Sequence, residues 1–123
     1  MPVLMRITER RIADVTILEL EGRLVLEDGA IPLRDYVNEL VEQGRVKVVL
    51  DLGKVTRLDS AGIGMLLSKY LSASRKGGIV KLLHLTSRSG HLMEITKLSS
   101  VFEIFDSEDE AIRSFGLEPE TAT

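Results

Sequence analysis

Apolar residues along this chain recur with two different periods, and the points where one gives way to the other mark out its elements. Val3 to Arg10 and Val15 to Leu20 read as extended stretches around Ala13-Asp14, with Leu18 and Leu20 facing opposite to Glu19 and Glu21, which is the pattern of a hairpin. Gly22 is expected to break the second strand. After Glu27-Asp28-Gly29 the period lengthens. Leu33, Tyr36, Val37, Leu40 and Val41 gather on one helical face, with Asp28 placed as the cap, Pro32 early and Gly44 at the end. Val46-Lys47-Val48-Val49-Leu50-Asp51-Leu52 is a nearly continuous apolar and β-branched run, as in a central strand covered by helices on both faces.

A turn-rich connection, Gly53 to Leu58, leads to Asp59-Ser60, where a second helix is predicted with Ile63, Leu66, Leu67, Tyr70 and Leu71 on its buried face. Gly77-Gly78 stops it. Ile79 to Leu85 reads as another buried strand, and Ser87 to Lys97 as a helix turning Leu92 and Ile95 inward. Phe102 to Phe105 forms a short last strand. Ser107 then caps a closing helix, Glu110 completes a capping box, and Ala111, Ile112 and Phe115 form its buried side. Strands alternating with helices after an initial hairpin define an α/β domain: a mixed, mostly parallel sheet with an N-terminal antiparallel edge hairpin, flanking helices and right-handed crossovers.

Length and composition narrow the classes. The 123 residues suit one domain over 1–116, and the final segment 117–123 is too polar and too short to pack, which predicts a flexible tail. The chain has no Cys, which excludes disulfides, thiolate metal sites and a cysteine nucleophile. With 19 acidic against 16 basic side chains the net charge is -3, the wrong sign for general nucleic-acid binding. No apolar run approaches the roughly 20 residues that span a bilayer, and the first residues have no signal-peptide pattern. The expected location is the cytoplasm, without membrane insertion.

In an open α/β sheet, function collects beyond the carboxyl ends of the strands. Three connections qualify by position, Val25 to Gly29, Gly53 to Asp59 and Thr86 to Gly90, and only the middle one has a distinctive composition. It ends in Asp59-Ser60-Ala61-Gly62-Ile63-Gly64, a hydroxyl at a helix start followed by small residues, where amide groups and the positive end of the dipole would tolerate a phosphate. Either Asp59 or Ser60 can be a simple cap. Capping leaves Gly62 and Gly64 unexplained, because together they cost about 1–2 kcal/mol of helix propensity. With Ile63, Leu67 and Tyr70 inward, Ala61, Met65, Ser68 and Ser72 form an outward stripe without charge, a candidate docking surface.

Other chemistries fail on their requirements. Gly53-Lys54 lacks the upstream glycine and the following hydroxyl of a P-loop. Asp59-Ser60-Ala61-Gly62 is no nucleophile elbow. His84 and His91, seven apart in the sequence, have no carboxylate at a ligand spacing. Glu108, Asp109 and Glu110 answer a helix dipole, and Arg10, Arg11 and Arg88 form no basic stripe. No cofactor, metal ion or catalytic activity is expected.

Val48-Val49-Leu50-Asp51-Leu52 followed by Leu58-Asp59-Ser60-Ala61-Gly62-Ile63-Gly64 resembles the STAS domain of bacterial anti-sigma factor antagonists. Leu20-Glu21-Gly22-Arg23-Leu24, Ile95-Thr96-Lys97-Leu98 and Val101-Phe102-Glu103-Ile104-Phe105 extend the likeness over nearly the whole chain. The resemblance implies a partner-switching module. Ser60 would be phosphorylated by an anti-sigma factor serine kinase that brings its own ATP, and a PP2C-type phosphatase would remove the phosphate. The unmodified form would bind the kinase and free a sigma factor. Carried over, Ser60 is the acceptor and Asp59 its neighbour; together with the glycines and the uncharged stripe read above, the expected partner surface is Asp59, Ser60, Ala61, Gly62, Gly64, Met65 and Ser68. One departure stands out: the family pattern Gly-x-Leu-Asp is Gly22-Arg23-Leu24-Val25 here, so an acid would have to come from Glu27 or Asp28. The alternatives are a non-switching STAS scaffold or transport accessory, and a small ligand- or nucleotide-binding domain.

Overall fold

The computed structural model describes residues 5–116 of the chain; Val3, Leu4 and the predicted tail 117–123 lie outside the described residues. The order is β1 (Met5–Ile12), β2 (Val15–Leu24), α1 (Ala30–Glu42), β3 (Lys47–Leu58), α2 (Ser60–Arg75), β4 (Ile79–Leu83), α3 (Ser87–Ile95), a 3-10 turn (Leu98–Ser100), β5 (Ile104–Phe105) and α4 (Glu108–Arg113). The strands form one sheet in the order β1-β2-β3-β4-β5. β1 and β2 are antiparallel and every other pair is parallel, as the expected edge hairpin and crossovers require. Ala13 takes a positive φ of 54° in the tight turn between the first two strands.

Both faces of the sheet are covered, unequally. Leu18, Leu20, Leu24, Val48, Leu50, Leu52, Val80 and Leu82 pack with Leu33, Val37 and Leu40 of α1, Leu66 and Ala73 of α2 and Met93 of α3. On the opposite face Val15, Ile17, Val49 and Leu83 meet Ala111 and Ile112 of α4. Lys81 pins this last helix. It is 3% exposed, and its Nζ lies 4.4 Å from the Phe115 ring centroid and 2.7 Å from Ser114 Oγ, 3.0 Å from a Glu103 carboxylate. A buried ammonium is tolerable only with such a set of partners.

Several boundaries differ from expectation. β2 does not stop at Gly22 but runs to Leu24, because Gly22 adopts φ 127° and the ladder absorbs irregularities on either side of Glu21 and Gly22. That gives β3 a partner beyond Leu52, so Gly53 to Leu58 is strand and not a turn-rich connection. β4 ends at Leu83, where His84 enters the left-handed region at φ 59°. Asp28 does not cap α1. The N-cap is Gly29, while the Asp28 carboxylate is buried in an ion pair with Arg23. Gly44 does end α1: its amide bonds Val41 and that of Arg45 reaches back to Leu40, which closes the last turn. Ile95 is 62% exposed and Met93 takes the inward place on α3, and Leu71 is 43% exposed on α2. Phe102 is buried before β5 begins and stacks edge-on against Tyr70 at 5.2 Å. Ser107 caps α4 through the Glu110 amide as expected.

The Glu9 carboxylate ties β1 to α1, accepting from the Tyr36 hydroxyl and pairing with Arg45. The Tyr36 bond first and Arg45 second hold Glu9 below the usual carboxylate range, while burial above all, with the Glu9 bond, pushes Tyr36 up to about 12. The signs are opposite. Stability from Glu9 is present above its ordinary value of 4.5 and is lost as pH falls through the lower folded value. Stability from Tyr36 is present below 10.0 and is lost as pH rises toward about 12. Denaturation midpoints measured against pH should therefore show a shallower acid limb in Glu9→Gln than in the wild type; superimposable acid limbs would contradict this assignment.

Candidate functional site

The register places the site. β3 and β4 last pair at Asp51 and Leu83, whereas β2 and β3 stay paired to Leu24 and Leu58. The end of β3 therefore projects seven residues past its last partner on β4, roughly 20 Å at strand spacing. Of the three connections that position favoured, the register brings together Val25–Gly29 and Asp59–Ser60. Thr86–Gly90 starts α3 at the level where β4 stops, and does not join them.

Asp59 is the hinge of the arrangement. It is the N-cap of α2, with Oδ1 accepting from the Gly62 amide at 2.9 Å, and its other oxygen accepts from the Leu26 amide at 3.3 Å. One carboxylate thus closes the first turn of α2 and ties the β2–α1 turn to it. The Gly62 amide first, and then the Leu26 amide, hold Asp59 below the usual carboxylate range. Sequence alone left the cap open between Asp59 and Ser60. Geometry gives it to Asp59, and Ser60, the next residue and the first of α2, is exposed.

The two glycines have different reasons. Gly62 is buried, and a Cβ there would meet the Leu24 carbonyl oxygen at 2.1 Å; it permits the close approach of α2 to β2 and belongs to no free surface. Gly64 is exposed with nothing within 4 Å of a would-be Cβ. The outward stripe is also rotated from its expected position. Gly62, Ile63, Leu66, Lys69 and Ala73 are the buried residues of the helix. Ser60, Gly64, Ser68 and Leu71 face out, while Ala61, Met65 and Ser72 are half-buried at one flank and Leu67 is half-buried as well. Lys69 escaped the apolar count. It is 6% exposed and its Nζ donates to Asn38 Oδ1 of α1 at 2.6 Å, with burial pushing the ammonium down.

The turn before α1 explains the departure at Val25. Its side chain is 5% exposed, in the core, where a carboxylate would be stranded. Asp28 is committed to Arg23, which leaves Glu27 as the exposed acid of the turn. Sequence reasoning missed Leu26, which is 59% exposed beside Asp59; nothing in a lone Leu followed by two acids marks it. The histidines stand apart from the site. His84 Nδ1 lies 3.2 Å from Asp51 Oδ1 on the α4 side of the sheet, and His91 is exposed on α3. Among the described residues no helix is long and apolar enough to cross a membrane.

The sequence profile of the STAS domain matches residues 6–111, and this chain belongs to the STAS domain family. It is 28% identical over 101 residues to a Thermotoga neapolitana protein that carries, by inference, the name anti-sigma factor antagonist, covering 82% of this chain and 89% of that one. It is 32% identical over 72 residues to the anti-sigma-B factor antagonist of Bacillus subtilis, 58% of this chain and 65% of that one. In fold it matches the anti-sigma factor antagonist SpoIIAA in its unphosphorylated form, with a TM-score of 0.78 at 17% identity over 90% of this chain and 96% of that one. The phosphorylated form of the Bacillus SpoIIAA matches with a TM-score of 0.71 at 16% identity over 89% and 99%.

The contrasting environments of the two glycines give substitutions of opposite sign. Gly62→Ala should destabilise the domain by roughly 1–3 kcal/mol through overpacking against Leu24. Gly64→Ala should stabilise it by about 0.5–1 kcal/mol through helix propensity alone. Equal effects in chemical denaturation would refute the distinction.

Proposed function

We propose that this STAS domain is a cytoplasmic, non-catalytic anti-sigma factor antagonist switched by reversible phosphorylation of Ser60. Unphosphorylated, it binds an anti-sigma factor serine kinase and frees a sigma factor; phosphorylated, it lets go. A PP2C-type phosphatase resets it. The observation that carries this reading is the division of labour at the start of α2: Asp59 does the capping, and the neighbouring Ser60 is exposed at a helix N-terminus with no such duty. The names of the relatives support the class of partner, and SpoIIAA exists in both states.

The chemistry is a phosphoryl transfer in the kinase's active site. Ser60 Oγ attacks the γ-phosphorus of the kinase's ATP, the bond to ADP breaks, and the hydroxyl proton passes to a base of the kinase. The product adds about -1.5 to -2 charges beside the uncharged face formed by Ser60, Gly64, Ser68 and Leu71. Docking must then strip a strongly hydrated dianion. Where the partner supplies no Arg or Lys to pair with it, a loss of about 3–4 kcal/mol weakens association on the order of 100- to 1,000-fold. The fold itself is spared, since the helix dipole favours an anion there by about 0.3–1 kcal/mol.

The cognate kinase with ATP should add one phosphoryl group to the wild type and none to Ser60→Ala, and Ser60→Asp should bind that kinase far more weakly than the wild type. Unchanged binding of Ser60→Asp would point to a scaffold, and nucleotide bound by the purified domain alone would point to a ligand-binding role. Thermal unfolding should shift little on phosphorylation; a large fall would mean that release works through the fold.

A further inference from the structure

β5 is the last strand of the sheet, and only one of its sides is paired. The Leu82 amide donates to the Glu103 carbonyl at 3.0 Å and the His84 amide to the Phe105 carbonyl at 2.9 Å. Backbone groups alternate in direction along a strand, so the N–H and C=O of Ile104, between those two carbonyls, point to the open side. Among the described residues neither has a hydrogen-bond partner there. Such an edge is a template for one more strand. Beside it lies a cavity of about 450 Å³, lined by residues that include Leu85, Gly90, His91, Glu94 and Ile104. Leu85 and Ile104 reach it from the border of the main core. Gly90 keeps it wide, since nothing stands within 4 Å of a would-be Cβ.

Charge selects the occupant. Residues 98–112 include Glu103, Asp106, Glu108, Asp109 and Glu110 and no Lys or Arg. Lys81 answers Glu103 and Arg10 answers Glu108, which leaves Asp106, Asp109 and Glu110 exposed. Arg88 and Lys97, at either end of α3, do not line the cavity. We propose that the open edge of β5 and the cavity beside it dock an extended basic peptide segment of a second protein, which adds a strand through Ile104. Side chains opposite each other on neighbouring strands share a face, so the peptide residue aligned with Ile104 enters the cavity against Leu85, and its Lys or Arg neighbours meet the carboxylates. A second copy of this chain fits worse, because two β5 edges would set acid against acid. The surface is separate from Ser60: β5 lies two strands beyond β3, roughly 10 Å across the sheet, and the inference goes beyond the function proposed above.

The probe is the synthetic peptide acetyl-Lys-Val-Lys-Leu-Lys-Val-Lys-amide, titrated into the isotope-labelled full chain and followed by NMR. Saturable shifts should centre on the amides of Leu85, Gly90, His91, Glu94 and Ile104, and at saturation the Ile104 amide should exchange with solvent about tenfold more slowly or less. A peptide with Glu in place of Lys should bind at least about tenfold more weakly, and so should one N-methylated at alternate residues, which keeps the side chains and loses the strand donors. Gly90→Leu, which fills the cavity, should weaken binding by a similar factor while melting no lower than the wild type, because Leu is the better helix former. Binding that does not saturate by about 5 mM, equal binding of the Glu peptide, or shifts centred on the start of α2 would overturn the inference. Concentration-dependent shifts at the same amides without peptide would give the edge to a second copy and overturn it as well. None of these results alters whether Ser60 is phosphorylated.

Discussion

The parallel ladder between β2 and β3 continues after β4 has stopped, and the rest of the site depends on that extension. Beyond Asp51 and Leu83 the sheet narrows to β1, β2 and β3, and among the described residues its last step, past the Met5–Gly22 pair, is β2 and β3 alone, paired to Leu24 and Leu58. A two-stranded ribbon is marginal by itself. Here one face is held down: Leu24 and Val55 join the same core as Leu33 of α1 and Leu66 of α2, and Gly62 lets the first turn of α2 rest directly on the Leu24 carbonyl. The helix start stabilises the ribbon, and the ribbon carries the helix start to the edge of the molecule, where Ser60 is exposed.

Buried and half-buried polar groups elsewhere fix how the helices lie. Lys69 crosses from α2 to Asn38 of α1, Glu9 links β1 to Tyr36 and Arg45, and Lys81 holds the end of α4 against Phe115. Such groups add little net stability, since desolvation offsets most of the attraction, but removing one partner strands the other. They therefore make each helix orientation costly to change. The outward face of α2 contrasts with them: between Ser60 and Leu71 its exposed residues are Ser60, Gly64, Ser68 and Leu71, a surface whose electrostatics are open to being set by one added phosphate.

Much of the fold was legible because period and punctuation agree: the hairpin at Ala13-Asp14, the Gly44 stop of α1, the Gly77 stop of α2 and the Ser107 cap all stand where residue chemistry puts them. The misreadings share one cause. Gly53 to Leu58 resembled a turn because Lys54, Thr56 and Arg57 face solvent while Val55 alone is buried, so a half-exposed strand read as a loop. On α2 the buried stripe includes Gly62 and Lys69, neither of which an apolar count selects, and the wheel turned so that Leu71 was placed inside. Tertiary neighbours decide such cases: the Leu24 carbonyl makes Gly62 core, and Asn38 makes Lys69 core. That a helix starts at Asp59-Ser60 was legible, yet which of the two caps it was not, because both residue types are preferred caps.

That last distinction decides what a phosphate can do here. Had Ser60 been the cap, esterifying its oxygen would have disturbed the bond that starts α2, and modification would have acted on the fold. With Asp59 holding both the Gly62 and Leu26 amides, a phosphoryl group on Ser60 takes the place of no existing interaction. It enters a region where the helix dipole favours an anion by under about 1 kcal/mol, while an approaching surface must strip its hydration at a cost of several. The larger of the two effects arises only on association. On the proposed function, a hydroxyl one residue past its cap can control binding without control of folding, because the carboxylate before it does the capping.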